Sequence, residues 1–234
     1  MLKPIAVAAV LLATSLSAQA QYTCPNVSTS QVITQPQQVV IIDNHGQLTI
    51  DNSGNVSLNG KYRQLPSAVV NDAKLYQQTA RDELPVLYKT ITQQLDELEN
   101  TLTKLVKQLL GKQTAAVKEV HSLRNALQEQ VHLVLAPSAD GGFILSPNNV
   151  ARVESNSKLL FEKKLGAMLQ IALNESGSVD NLQGLFNELA AMKSEFKQTW
   201  QNYTKQHSQF LQELCRKAQD QTTREQRIKA ALAY

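Results

Sequence analysis

The sequence is poor in the residue types that usually build active sites and metal centres. Its 234 residues include only two cysteines and four histidines, and aromatic residues make up 5% of the chain. Lysine and arginine exceed aspartate and glutamate by 23 − 20 = 3, too small an excess for the clustered basic face of a nucleic-acid-binding protein. Glutamine is abundant, with 26 residues, so polar surfaces carry little charge. We therefore expect no nucleic-acid partner.

The first twenty residues have the form of a secretory signal peptide. Lys3 gives a positive start to the apolar run 5–13, and Ala18, Gln19 and Ala20 form the small-x-small pattern of a signal-peptidase site. The apolar run is too short to span a bilayer, and no later stretch reaches eighteen apolar residues. An anchored amphipathic N-terminus is the alternative, but no polar face repeats here. We predict cleavage between Ala20 and Gln21, export, and no transmembrane segment afterwards.

Cys24 and Cys215 lie near the two ends of the predicted mature chain. An even number of cysteines in an oxidising compartment is typical of disulfides, and two thiols allow only one intramolecular pairing. The chain has no Cys-x-x-Cys motif, so a thioredoxin-like redox role is not expected. Two unbonded, buried thiols are the alternative. We predict a Cys24–Cys215 disulfide.

Short antiparallel strands are predicted between residues 38 and 63. Alternating or β-branched runs there are separated by turn-forming residues, among which Asn59-Gly60 is the strongest two-residue hairpin signal of the chain. The predicted strands are Val39–Ile42, Gln47–Asp51, Asn55–Leu58 and Lys61–Arg63. Their apolar face is too small to stand alone, so we expect this β-meander to pack against helices.

Long helices are predicted to follow from Pro66-Ser67, with Pro85 either kinking the first helix or starting the next. A seven-residue apolar repeat then indicates a coiled-coil seam. The seam consists of Leu84, Tyr88, Ile91, Leu95, Leu98, Leu102, Leu105 and Leu109. Gly111 interrupts the repeat, and periodicity does not decide whether the chain turns there. The seam is expected to be mostly buried within one chain, although an oligomer interface is the alternative.

Three further segments complete the predicted helical body. A second apolar stripe runs from Val117 to Val134, and 136–149 is interpreted as a loop containing Phe143-Ile144-Leu145. A helix is predicted over 147–173, and a last helix carries the aromatic residues Phe196, Trp200, Tyr203 and Phe210. An aromatic stripe at helical spacing is more often core than a docking surface, and both interpretations stay open.

The predicted architecture is α+β and mostly α. A small N-terminal antiparallel β-meander is expected to pack on an elongated bundle of long helices. The predicted organisation is a signal peptide at 1–20, an N-terminal segment and meander at 21–65, a helical body at 66–219 and a polar C-terminal tail at 220–234. Arg224, Arg227 and Lys229 lie in that tail.

No motif indicates an assembled active site, cofactor site or metal site. His121 and His132 share a helix face, but eleven residues separate them by about 16 Å, too far to bind one metal ion. Asp51–Asn55 superficially resembles a calcium loop, yet its glycine is misplaced and Tyr62 stands where the bidentate glutamate is needed. Gly111-Lys112 lacks the preceding glycine of a phosphate loop. We predict no catalytic, cofactor-binding or metal-binding residue.

The chain resembles the YggN-like family of uncharacterised exported proteins of Gram-negative bacteria. The resemblance lies in the signal peptide, Cys24 and Cys215, and in short motifs between them. These motifs are 46–50 (GQLTI), 54–56 (GNV), 59–61 (NGK), Leu84-Pro85 and Asp140-Gly141. The resemblance implies a periplasmic location and a family without a known biochemical function, so it supplies no catalytic residues.

Three hypotheses for function follow. The first is a non-enzymatic periplasmic interaction or scaffold protein with a protein partner, favoured by the helix seam and the missing active-site motifs. The second is a chaperone-like holder of apolar or unfolded clients. The third is a hydrolase whose site is assembled from scattered polar residues, and it is the least favoured. The oligomeric state is left open.

Overall fold

The computed structural model describes residues 27–110, 114–175 and 215–233. Seven strands lie within these ranges: β1 Gln31–Thr34, β2 Gln38–Asp43, β3 Gly46–Asp51, β4 Val56–Leu58, β5 Lys61–Arg63, β6 Leu135–Pro137 and β7 Phe143–Leu145. The helices are α1 Ser67–Leu110, α2 Ala116–His132 and α3 Val150–Glu175, with a 3-10 turn at Pro147–Asn149. Residues 215–231 are also helical and are called α4 here.

The predicted β-meander is present. Strands β2, β3, β4 and β5 pair antiparallel in chain order, each with its neighbour. Asn59 and Gly60, with φ of 50° and 76°, form the β4–β5 turn in the left-handed conformation that this dipeptide favours. The Asp51–Asn55 segment is a hairpin turn, in which the Asp51 carboxylate accepts hydrogen bonds from the backbone N–H groups of Ser53 and Asn55.

The sheet is larger than the sequence predicted. Its strand order is β5-β4-β3-β2-β1-β7-β6, so β1 joins the meander to a second hairpin. The interpretation of 136–149 as a loop is wrong, because this segment contains β7 and most of β6. β6 and β7 are three residues long and, unlike β4 and β5, are not joined by an Asn-Gly turn, and β7 pairs with β1, where Ile33 lies opposite Ile144. Distant pairing partners of this kind leave no local signal.

The two faces of the sheet differ in burial. On one face, called the inner face, most of the apolar side chains are almost completely buried. They include Val32, Val39, Ile41, Leu48, Ile50, Val56 and Leu145. The contacts from helices to strand side chains fall on this face: Tyr88 packs against Phe143 with ring centroids 5.5 Å apart, and Lys229 binds Asp43. The inner face therefore forms the sheet side of the core.

Helices α1 and α2 form an antiparallel helical hairpin. Arg124 binds Asp96, His121 lies 2.9 Å from Glu99, and His132 lies 3.0 Å from Tyr88, so residues later in α2 meet residues earlier in α1. The chain therefore reverses direction between these helices, next to Gly111. Residues 111–113 themselves lie outside the described ranges. Pro85 neither ends nor starts a helix, since α1 continues through it.

Most of the predicted apolar seam lies in the core of this single chain, although Leu105 is only half-buried and the side chain of Leu109 is outside the described part of the structure. Leu84, Ile91, Leu95 and Leu102 are buried, and Tyr88 and Leu98 pack against the core while partly exposed. On α2 the second stripe is buried at Val120, Leu123, Leu127 and Val131. Apolar side chains thus fill the contact between α1 and α2.

Two more helices pack beside the helical hairpin. α3 runs antiparallel to α2, as Lys164 binds Glu119 at 2.8 Å and Asn156 binds Gln130 at 3.1 Å. α4 runs antiparallel to the first half of α1, with Lys217 near Glu83 and both Arg224 and Arg227 on Asp72.

The structure differs from the expected polar tail at 220–234. Most of that segment belongs to α4, where Ile228 and Glu225 are buried against the rest of the chain. The prediction relied on the many charged residues of this segment. Several of those charges are instead used in contacts with α1 and the sheet.

The α+β class is therefore confirmed, with a seven-stranded antiparallel sheet in place of a small meander. Among the helices that the structure describes, none is both long and apolar enough to cross a membrane. The signal peptide with its Ala20–Gln21 cleavage site, Cys24, and the aromatic residues Phe196, Trp200, Tyr203 and Phe210 lie outside the described residues. The predictions made for them stay predictions.

Candidate functional site

A dense group of polar side chains lies where the two ends of the described chain meet. We call it the Glu225 cluster, and it consists of Ser28, Ser30, Asp43, Tyr76, Glu225 and Lys229. Glu225 is only 2% exposed, and its Oε1 accepts hydrogen bonds from Ser28 Oγ at 2.8 Å and Ser30 Oγ at 2.7 Å. Buried carboxylates need such donors, because desolvation otherwise disfavours their charge.

Lys229 is the positive centre of the Glu225 cluster. Its Nζ donates to Glu225 Oε1 at 2.7 Å, to Asp43 Oδ2 at 2.5 Å and to Ser30 Oγ at 2.9 Å. Burial acts to lower the pKa of Lys229, but the hydrogen bonds to Asp43 and Glu225 outweigh burial and raise that pKa above its usual value. Lys229 is therefore held as an ammonium ion.

Tyr76 closes the cluster on the side of α1. It is fully enclosed, and its Oη donates a long hydrogen bond of 3.4 Å to Glu225 Oε2. Burial and the negative charge of Glu225 raise the pKa of Tyr76 well above its usual value. The phenol therefore stays protonated and acts as a donor to the carboxylate.

The arrangement of serine beside lysine invites comparison with serine–lysine nucleophiles. Such a nucleophile needs a neutral lysine that can take the serine proton. Here Ser30 Oγ donates its proton to Glu225 and accepts from the Lys229 ammonium, and Ser30 is only 4% exposed. The geometry favours a structural role, in which the cluster fixes α4 against the start of β1.

A cleft of about 730 Å³ lies beside the Glu225 cluster. Its walls come from residues 27–30, from the β2–β3 turn at Asp43–His45, and from one side of α4. Asp43 Oδ1 accepts from the His45 backbone N–H at 2.8 Å, and Oδ2 accepts from Lys229. The polar atoms of Asp43 and Glu225 are thus engaged in intramolecular bonds rather than directed toward a ligand.

The histidines considered from sequence lie in separate places. His121 pairs with Glu99, and His132 Nε2 lies 3.0 Å from both Tyr88 Oη and Gln128 Nε2 within the helical hairpin. His45 lies in the β2–β3 turn, and His207 is outside the described residues. In the part of the chain that the structure describes, no group of three or more His, Cys, Asp or Glu residues could hold a metal ion.

The outer face of the sheet, opposite the helices, is a different kind of surface. One row of paired residues crosses all seven strands on this face: Ala136, Ile144, Ile33, Val40, Thr49, Ser57 and Tyr62. Val40 is buried at its centre, Ile33 and Ile144 are half-buried, and Tyr62 at the edge is 65% exposed.

The outer face carries almost no charge. Gln31, Gln38, Ile42 and Gln47 flank the central row. Asp51 is the one charged residue of the strands that points to this face, and its carboxylate is taken up by Ser53 and Asn55 in the turn. The outer face therefore combines apolar side chains with uncharged polar ones. Charged residues are also depleted at the centre of protein–protein interfaces.

Sequence reasoning missed the Glu225 cluster entirely. A signal was available in α4, because Cys215, Ala218, Thr222, Glu225 and Ile228 recur at spacings of three and four and are all buried. Two of these five residues, Thr222 and Glu225, are polar, so apolar periodicity alone does not reveal the stripe. Cys215, the first described residue of α4, is buried, which fits both a disulfide and an unbonded thiol.

Comparison with known proteins gives relatives over nearly the whole chain. Proteins named "Uncharacterized protein YggN" from Escherichia coli strains K12, O6:H1 and O157:H7 are each 26% identical over 222 residues. The alignments cover 92% of this chain and 92% of each relative. No family model matches the chain, and no solved structure matches it significantly. These homologues confirm the resemblance to the YggN-like family that the sequence motifs indicate.

Proposed function

We propose that this protein is a non-catalytic interaction or scaffold protein of the periplasm, and that the outer face of the sheet is its docking surface for a protein partner. The observation that carries the proposal is the row from Ala136 to Tyr62, which presents apolar and uncharged side chains across seven strands. A partner surface that is equally uncharged and rich in apolar side chains fits it best, since an ionic partner would lose hydration without gaining ion pairs.

The Glu225 cluster supports the non-catalytic part of the proposal. Its serines donate to a carboxylate, its lysine is charged, and its carboxylates are saturated by neighbouring groups. Each member therefore contributes to holding α4 in place. A hydrolase would need a nucleophile beside a base able to accept its proton, and this cluster offers no such pair.

Site-specific photocrosslinking tests the docking surface. A photoreactive amino acid placed at Ile33 or Ile144 is expected to give discrete protein adducts in the periplasm of the source cell. Leu159, which is 61% exposed on α3, is the matched control position. Adducts at Ile33 that disappear when Thr49→Glu is introduced support the proposal. The same adducts from Leu159, or none from the outer face, contradict it.

A chaperone-like holder is the second candidate, favoured by the same row of apolar side chains. A holder would bind many unfolded clients rather than one partner. Light scattering of an aggregating client, with and without the protein, separates the two functions. Protection that Ile33→Glu abolishes and Leu159→Glu leaves intact favours the holder, whereas no protection by the unmodified protein eliminates it.

Export and a Cys24–Cys215 disulfide are part of the proposal. Ser28 contacts Thr222, and α4 rises about 10 Å over the seven residues from Cys215 to Thr222. The four residues from Cys24 to Ser28 span up to about 13 Å when extended, so Cys24 can reach Cys215. The bond would close a loop of 215 − 24 = 191 residues and contribute at most about 5 kcal/mol in the chain-entropy model.

Two mass measurements test export and the bond. Intact mass of the protein purified from the periplasm is expected to give Gln21 as the first residue. Peptide mapping without reductant is expected to yield one cross-linked peptide that contains Cys24 and Cys215. Free thiols at both positions, or bridges only between molecules, would refute the disulfide.

A further inference from the structure

The two ends of the described chain are joined by a group of polar contacts at the start of β1. The Ser28 backbone N–H donates to Thr222 Oγ1 at 2.9 Å, and the hydroxyls of Ser28 and Ser30 donate to Glu225. Ser30 leads directly into β1, which lies between β2 and β7 in the sheet. α4 therefore holds the entry to a central strand, although β1 lies at the opposite end of the sequence.

The docking of α4 is mainly polar. Its buried residues are Cys215, Ala218, Gln221, Thr222, Glu225 and Ile228. Among them Ala218 and Ile228 carry purely hydrocarbon side chains, and Leu232 directly after α4 packs partly buried against the core, so this contact gains less hydrophobic stabilisation than the apolar stripe of α2 does. The buried Gln221 Oε1 also lacks a hydrogen-bond partner, which weakens the docking further.

Other α4 contacts are ion pairs near the surface. Arg224 and Arg227 pair with Asp72 at 3.2 Å and 3.0 Å, and Lys217 pairs with Glu83 at 3.3 Å. Pairs of this kind contribute little, because solvent screens them. Segments held by few apolar contacts open locally at lower free energy than the core. α4 meets that description, whereas α2 does not.

We propose that α4 is a strap that closes over the amino-terminal end of β1, and that α4 and residues 27–30 open and close as one unit while the α1–α2 helical hairpin stays folded. The coupling is direct: when α4 leaves, Ser28 and Ser30 lose the acceptors that hold them. Opening also exposes Asp43 and Lys229 and widens the cleft beside them. The Cys24–Cys215 disulfide, if formed, links the two halves of this unit to each other and leaves it free to open.

Hydrogen exchange of the full mature chain tests the strap. In the unmodified protein, amides of 217–231 and of 28–31 are expected to exchange with similar protection, well below that of 120–131 in α2. Glu225→Gln is expected to raise the exchange rates of both strap segments together by about tenfold or more, since charge-assisted hydrogen bonds are lost. Exchange in α2 should not change.

Asp220→Asn is the matched control, because Asp220 is exposed on the same helix and pairs with Arg216. It should leave the exchange of residues 28–31 unchanged. If Glu225→Gln accumulates poorly, Thr222→Val removes the acceptor of the Ser28 N–H, together with the hydroxyl's bond to the Ala218 carbonyl within α4, and tests the same coupling. Faster exchange confined to α4, or an equal rise in α2, would overturn the proposal.

Discussion

Helices α2 and α4 both pack against α1, but α2 does so mainly through apolar side chains and α4 largely through polar ones. Along α2 the buried residues are chiefly Val120, Leu123, Leu127 and Val131, which face the apolar seam of α1. Along α4 the buried residues include Gln221, Thr222 and Glu225. Apolar contacts are non-directional and scale with buried area, whereas polar contacts stabilise only when every donor and acceptor is matched.

Stability and specificity therefore come from different contacts in this molecule. The helical hairpin provides a large part of the buried apolar core and can form from residues close in sequence. The Glu225 cluster provides a unique fit between two distant segments, because a carboxylate with three donors on one oxygen tolerates no shifted register. Polar burial of this kind contributes modestly to net stability but is sensitive to the loss of one partner.

The largest effect is expected from a cavity in the apolar contact. Leu127 on α2 is 1% exposed and packs in the core. Leu127→Ala should lower the free energy of unfolding by about 3 kcal/mol, because it removes buried methyl groups and leaves a cavity. Urea denaturation followed by circular dichroism measures the change. Leu159→Ala, at an exposed position, should change stability by less than about 0.5 kcal/mol. Equal effects of the two variants would contradict the apolar role assigned to α2.

A smaller effect is expected where β1 meets β7. A Cβ atom at Gly142 would overlap the carbonyl oxygen of Thr34 in β1. Gly142→Ala should therefore destabilise the protein by about 2 kcal/mol, since the two strands must separate or shift. Gly166→Ala is the matched control: nothing lies near the added atom, and alanine favours the helix by about 0.5–1 kcal/mol. Thermal unfolding should thus move in opposite directions for the two variants.

Some parts of this fold could be predicted from the sequence, and others could not. The β2–β5 meander and the α1–α2 helical hairpin were predictable, because tight turns and apolar periodicity are local signals. The β6–β7 hairpin was not, since its three-residue strands lack the Asn-Gly turn that revealed β4 and β5, and β7 pairs with β1 from a distant part of the chain. The Glu225 cluster was not predictable either, because its members lie nearly two hundred residues apart and are polar.

Alkaline pH should weaken the docking of α4 before it weakens the contact between α1 and α2. The pKa values of Tyr76 and Lys229 are both raised above their ordinary values of 10.0 and 10.5, so the folded state holds these protons more tightly than the unfolded chain. Their stabilisation is complete below about pH 10 and is lost as pH rises through the raised values. Limited proteolysis at stepwise higher pH should cleave within α4 first, and initial cleavage within α2 would contradict this order. In Tyr76→Phe, one of the two titrating groups is absent, and the pH dependence should become shallower.

The smallest effect is expected from the Asp51 carboxylate in the β3–β4 turn. This turn is exposed to solvent, whereas Glu225 is buried. Burial acts to raise the pKa of Asp51, but hydrogen bonds from the Asn55 side chain and from backbone N–H groups of the turn outweigh it and lower that pKa below 3.8. The lowered value means that the stabilisation is present above pH 3.8 and is lost as pH falls through the folded pKa. Because solvent screens this turn, the loss should be about 0.5 kcal/mol or less. Urea midpoints at pH 6 and pH 3, compared between the unmodified protein and Asp51→Asn, measure it. A loss on acidification that is the same in both proteins would show that the turn carboxylate contributes nothing.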